Sequence, residues 1–204
     1  TVQTVLTGLG LTEIAVNAMP RVLVLTSGHE VIEPGESLTA GKIYNSNRAM
    51  ICGLLEDLGF HKITHYHVSD APEELESEIN HVLQLSEDAD IIISSGGVSV
   101  GLFDTMPLIY EKLGAKSIYA RIQMRPGAAS YGAVTPKGQI IFGLSGNPGA
   151  AFNGWHLIVA PTLKRYKGLK NWTTPVVACV MDSEIFKRNA FDRYVPVSYT
   201  HLTL

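Results

Sequence analysis

The sequence predicts a three-layer α/β fold, with helices on both faces of a mostly parallel sheet. Three observations carry the prediction. Strand-like and helix-like segments alternate over residues 21–168, the order that gives parallel strands joined by crossover helices. One segment, "ADIIISSGG", is a continuous β-branched run, as expected of a strand buried on both faces. Three strands also run into glycine turns, at residues 26–28, 94–97 and 144–146. In a parallel sheet such turns open on one edge, beyond the carboxyl ends, where ligands sit.

Each element follows from its own pattern. "RVLVLTSG" (21–28) is a buried strand, and the Pro- and Gly-rich "HEVIEPGESLTAGK" after it reads as a loop. "NSNRAMICGLLEDLG" has Asn45 or Ser46 as cap, helical apolar spacing and Gly59 as stop. "HKITHYHVSD" alternates as a strand does. "APEELESEINHVLQLSED" predicts a helix with Pro72 and acids in its first turns and Leu75, Ile79, Val82 and Leu83 on one face. "TMPLIYEKLG" is a short helix closed by Gly114, and "KSIYARIQM" is another strand. "SYGAVTPKGQIIFGLSG" reads as a hairpin. "NPGAAFNGWHLIVAPTLKRYKG" is a last helix that Pro161 kinks or restarts. Residues 1–19 read as a lead-in from a missing N-terminal region, 20–168 as the α/β domain, and 175–204 as the truncated start of a C-terminal β-rich domain.

Composition narrows the function. The chain has 204 residues, 46% of them hydrophobic, and a net charge of −3. That balance argues against a nucleic-acid partner, which usually shows a basic face. No apolar run approaches a membrane span, and the start lacks the features of a signal peptide. Cys52 and Cys179 offer neither a metal spacing nor a disulfide framework. A cytoplasmic protein with free thiols is the expectation.

The motifs point to an anionic ligand, each with a plainer alternative. In "SSGGVSVGLFD", Gly96 and Gly97 let backbone approach an anion, and Ser94, Ser95 and Ser99 add hydroxyls. Equally, a buried strand needs a tight turn before its helix. "GLSGNPGAAF" repeats the theme with Gly146, Asn147 as cap and Pro148 at the first helical position. Arg121 and Arg125, four residues apart on an expected strand, project to one face and suit phosphate. Glu30, Asp70 and Asp104 each follow a strand, and acids beside phosphate donors suit a divalent cation such as Mg²⁺. Asp70 could instead cap the next helix. His61, His65 and His67 read as surface histidines, because no third ligand spacing supports zinc.

Six motifs in one order resemble the molybdopterin molybdotransferase family, which includes MoeA and the E domain of gephyrin. They are "TSGHE", "GKIYNSNRAM", "SDAP", "SSGGVSVGLFD", "MRPG" and "GLSGNP". A looser likeness covers "RNAFDRY". The resemblance implies a homodimeric enzyme that inserts molybdate into adenylylated molybdopterin with Mg²⁺, releasing AMP. It maps the family's acids onto Glu30, Asp70 and Asp104 as catalytic and metal-holding groups. Its cationic strand positions fall on Arg121 and Arg125, and its Gly-Asn-Pro turn on Gly146, Asn147 and Pro148. The rivals are a molybdopterin adenylyltransferase of the same fold and a non-catalytic scaffold.

Overall fold

Three consecutive isoleucines explain the layering. Ile91, Ile92 and Ile93 have no exposure, and strand alternation sends them to opposite faces. Ile91 and Ile93 join Val22, Val24, Ile51, Leu55 and Trp155 in one core. Ile92 joins Leu23, Leu25, Val82, Met106 and Ile109 in the other. Each such side chain contributes about 1.5–3 kcal/mol by burial.

The computed structural model describes residues 1–97, 105–178 and 192–197. Helix α1 (Val2–Gly8) precedes β1 (Val22–Ser27), the short β2 (Val31–Ile32) and β3 (Ile43–Tyr44), and α2 (Ser46–Asp57). Then come β4 (Ile63–Val68), α3 (Leu75–Ser86), β5 (Ile91–Ser95) and α4 (Thr105–Lys112). The second half holds β6 (Lys116–Tyr119), β7 (Met124–Arg125), β8 (Tyr131–Val134), β9 (Ile140–Leu144), α5 (Pro148–Gly154), α6 (Ala160–Tyr166) and β10 (Asp192–Arg193).

The main sheet runs β4-β1-β5-β9-β8-β6. Its first four strands are parallel, and only β8 runs against them, paired to β9 and β6. Helices α2, α5 and α6 cover one face through Ile51, Leu55, Ala151 and Leu163. Helices α3 and α4 cover the other through Ile79, Val82, Met106 and Ile109. The three-layer expectation therefore holds, as does the hairpin.

Three local expectations change, and the last helix, which does restart around Pro161, carries one further turn. The loop after β1 carries a parallel two-residue ladder, Val31–Ile32 with Ile43–Tyr44. Helix α3 begins at Leu75, and the Pro72 segment forms a turn in which Glu74 N–H donates to Ala71 O at 3.0 Å. The strand expected over 116–124 stops at Tyr119, so Arg121 lies in a loop and does not share a strand face with Arg125. The last helix is interrupted by a π-helical turn, Trp155–Val159. There the Ala160 N–H reaches back to Trp155 O, which widens the helix just before Pro161, a residue with no N–H and a bulky ring.

Beyond the α/β unit the described chain is short. Asp192 and Arg193 pair in parallel with Met124 and Arg125, and Asn153 Nδ2 donates to Tyr194 O at 2.9 Å. Helix α1 buries none of its residues.

Candidate functional site

Parallel pairing puts the carboxyl ends of β4, β1, β5 and β9 on one rim, with Ser27 opposite Val68, Thr26 opposite Ser95, and Ser95 opposite Leu144. The three glycine turns open on that rim. The segment joining β6 to β8 lies there too, since β8 starts with Tyr131 opposite Gly143.

Gly96 and Gly97 have φ of +90° and +59°. A Cβ on Gly96 would lie 2.5 Å from Ser27 O, and one on Gly97 2.8 Å from Ser27 Oγ. These glycines are thus required by the close approach of the β5 turn to the end of β1. The Gly96 N–H donates to Leu144 O at 3.2 Å. Ser27 is 6% exposed, and its hydroxyl is buried with no hydrogen-bond partner among the described residues.

The two serines of β5 part company. Ser94 faces the α3/α4 side, buried and hydrogen-bonded to the Tyr110 hydroxyl, which burial holds well above its ordinary pKa. Its hydroxyl does not turn to the rim, contrary to the grouping of Ser94 with Ser95. Ser95 faces α2: its hydroxyl donates to Ser145 O at 3.1 Å and accepts from Asn47 Nδ2 at 2.8 Å. Asn47 Nδ2 also donates to Gly146 O at 2.8 Å. Asn147 caps α5, its Oδ1 accepting from Ala150 N–H at 3.1 Å, with Pro148 next.

Of the three acids, Glu30 and Asp70 follow the neighbouring strands β1 and β4. Glu30 is 44% exposed at its side chain, with His29 Nδ1 at 3.5 Å. Asp70 accepts from Thr105 Oγ1 at 3.2 Å, and no side chain caps α3. Asp104 and Ser99 lie outside the described residues. Among the described residues no group of three or more His, Cys, Asp or Glu side chains is gathered to hold a metal. Arg121 and Arg125 are exposed. The register of β10 sets Arg193 beside Arg125, a cation whose motif, "RNAFDRY", gave the sequence reading no reason to place it here.

The histidines of β4 are not surface groups. His65 Nε2 and His67 Nδ1 lie 3.0 and 3.1 Å from Thr26 Oγ1, which also accepts from Asn45 Nδ2 at 2.9 Å. Asn45 donates in turn to Glu33, and Glu33 pairs with Arg48. Burial, then the Arg48 charge, push His65 down to about 4. Burial raises Glu33, but hydrogen bonds from Asn45 and Arg48 and the Arg48 charge outweigh it and hold the carboxyl below its usual range.

Known proteins share this architecture. The family described as "Probable molybdopterin binding domain" matches residues 23–165. The molybdopterin molybdenumtransferase of Staphylococcus aureus (strain MRSA252) is 36% identical over 196 residues, 96% of this chain and 46% of that protein. The chain therefore spans less than half the length of that relative. The molybdopterin biosynthesis moeA protein of Pyrococcus horikosii matches in structure with a TM-score of 0.65 and 28% identity, over 81% of this chain and 40% of that one. The molybdopterin biosynthesis Mog protein of Mycobacterium ulcerans matches at 0.52 and 19% identity, over 74% and 99%, a likeness of fold.

Proposed function

The chain belongs to the family of molybdopterin-binding domains, and from that footing we propose that it is the pterin-binding part of a molybdopterin molybdotransferase. The reaction would insert molybdate into adenylylated molybdopterin and release AMP, a step of molybdenum cofactor biosynthesis. One observation carries the reading: four parallel strand ends meet on a rim that keeps two buried oxygens, Ser27 Oγ and Asn47 Oδ1, without partners among the described residues. Buried polar atoms are rarely left unpaired unless something else satisfies them.

In this reading Ser27, Ser95 and the 145–147 turn orient the ligand, while Arg121, Arg125 and Arg193 offset phosphate charge. Glu30, Asp70 and Asp104 would hold Mg²⁺, since carboxylate oxygens suit that hard cation. When bound, it would supply charge neutralisation at the phosphates. A homodimer acting in the cytoplasm, and a division into residues 1–19, 20–168 and 175–204, complete the proposal; the family resemblance supports them. The 36% identity to the molybdenumtransferase over 196 residues supports this reading over an adenylyltransferase.

Calorimetric titration of adenylylated molybdopterin, with and without Mg²⁺, tests it. Saturable binding that tightens with Mg²⁺ is expected. Absence of binding, or ATP-dependent adenylylation of free molybdopterin by this chain, would overturn it.

A further inference from the structure

We infer that Asn47 is a positioning residue: its amide fixes the β5 turn against the β9 turn and so sets the shape of the rim. The inference rests on the reading of that rim as the ligand site. Asn47 is the second residue of α2, after the cap Asn45, and its side chain plays no part in capping its own helix. The amide crosses to both neighbouring strand ends, donating to Ser95 Oγ and to Gly146 O at 2.8 Å each.

The orientation of that amide is determined. Gly146 O is an acceptor only, so it must face the NH₂ group. Ser95 has committed its single proton to Ser145 O, so it too must accept from Asn47. A flipped amide would set oxygen against oxygen at Gly146 and leave Ser95 without a donor. Fixing NH₂ in this way leaves Oδ1 buried and, among the described residues, unpaired. An orphan acceptor costs free energy, and asparagine is a poor helix former beside alanine. Local stability alone would therefore not select Asn here. What the amide uniquely supplies is two donors, from one rigid group, to two different strand ends. With the Gly96 N–H on Leu144 O and a Gly146 Cβ position only 3.4 Å from Gly96 Cα, the two turns are held in contact by groups that Asn47 aligns.

The test compares wild type, Asn47→Ala and the isosteric Asn47→Asp, which keeps the shape but loses both donors. Amide hydrogen exchange is read at Gly96, Asn147 and Ala150, and at Ile92 and Ile93 as core controls. Exchange at the rim amides should rise about tenfold or more in each variant that folds, with the controls unchanged. Affinity for adenylylated molybdopterin should fall about tenfold, since small displacements of an oriented site are costly. Unchanged exchange at Gly96 and Ala150 would overturn the inference. Raised exchange with unchanged affinity would also overturn it, by making the amide merely structural. If wild type itself binds no ligand, the molybdotransferase reading fails, and the exchange comparison still decides whether Asn47 couples the turns.

Discussion

Two side-chain amides, at opposite ends of the same sheet, are treated differently by the fold. Gln139 lies at the amino ends of the strands, 6% exposed. Its Nε2 donates to Ser86 O at 2.6 Å and to Ala89 O at 2.8 Å, and its Oε1 accepts from Thr135 Oγ1 at 3.1 Å. Both protons and the oxygen of that amide are engaged. Asn47, at the carboxyl ends, also commits both protons, but its oxygen has no partner among the described residues, and neither has the Ser27 hydroxyl at the end of β1. Complete satisfaction marks the end that only has to hold together. In the proposed reading, incomplete satisfaction marks the end that meets a ligand.

The sharpest way to break this comparison is to add one methyl group at each end. Gly96→Ala would place Cβ 2.5 Å from Ser27 backbone at φ +90°, combining left-handed strain with a backbone clash. A loss of about 4 kcal/mol is expected in urea denaturation. Gly138, in the hairpin turn at the amino end, has φ +83° and nothing within 4 Å of a Cβ. Gly138→Ala should lose only about 1 kcal/mol, from strain alone. Equal losses would mean that the contact between the β1 and β5 ends is not tight.

Next comes Gln139→Ala, which removes the Gln139 donor from the Ala89 carbonyl and leaves the Ser86 carbonyl with the Ala89 N–H as its donor. A loss of about 2 kcal/mol is expected, with ligand affinity unchanged. An affinity loss matching that of a carboxyl-rim variant would erase the distinction between the two ends.

Much of this geometry was legible in the sequence because it depends on patterns of two kinds. The β-branched run "DIIIS" and the glycine turns fixed which strands are central and which edge collects their ends. The helix faces followed from apolar spacing. What escaped depends on direction and distance. Consecutive residues of a strand point to opposite faces, so the hydroxyls of Ser94 and Ser95 turn apart, one to Tyr110 and the other to Asn47, though adjacency in sequence suggested one grouping. Arg121 was assigned to a strand that ends two residues before it, because nothing in "YARIQM" signals the exit. Arg193 reaches Arg125 only through pairing between segments far apart in sequence. His65 and His67 read as surface groups because their partner, Thr26, belongs to another strand.

That cluster gives the carboxyl end a pH dependence. His65 is held at about 4 against an ordinary value of 6.5, first by burial and then by Arg48. A lowered folded-state pKa means that the unfolded chain takes the proton first as pH falls. Stability should be fully present above about 6.5 and decline toward pH 4. Because the ring is half-buried, the loss is on the order of 1 kcal/mol. His156, lowered by burial and Lys164, adds to the same trend. The check is therefore the difference between wild type and His65→Asn across that window. A variant with the same slope would assign the effect elsewhere.

The smallest expected effect on stability is the most informative about function. Ser27→Ala removes a hydroxyl that is buried and without a partner among the described residues. Deleting an unsatisfied polar group costs no hydrogen bond and relieves its desolvation, so the variant should be as stable as wild type or more stable by up to about 1 kcal/mol. Cβ stays in place, so the packing against Gly96 and Gly97 persists. If a ligand satisfies that hydroxyl, affinity for adenylylated molybdopterin should nonetheless fall, giving stability and binding opposite signs at one atom. The same substitution at Ser95, which is paired to Asn47 and Ser145, should lower both together. Loss of stability in Ser27→Ala would show that the hydroxyl already has a partner in the free protein, and the contrast between the two ends of the sheet would lose one of its two orphan atoms.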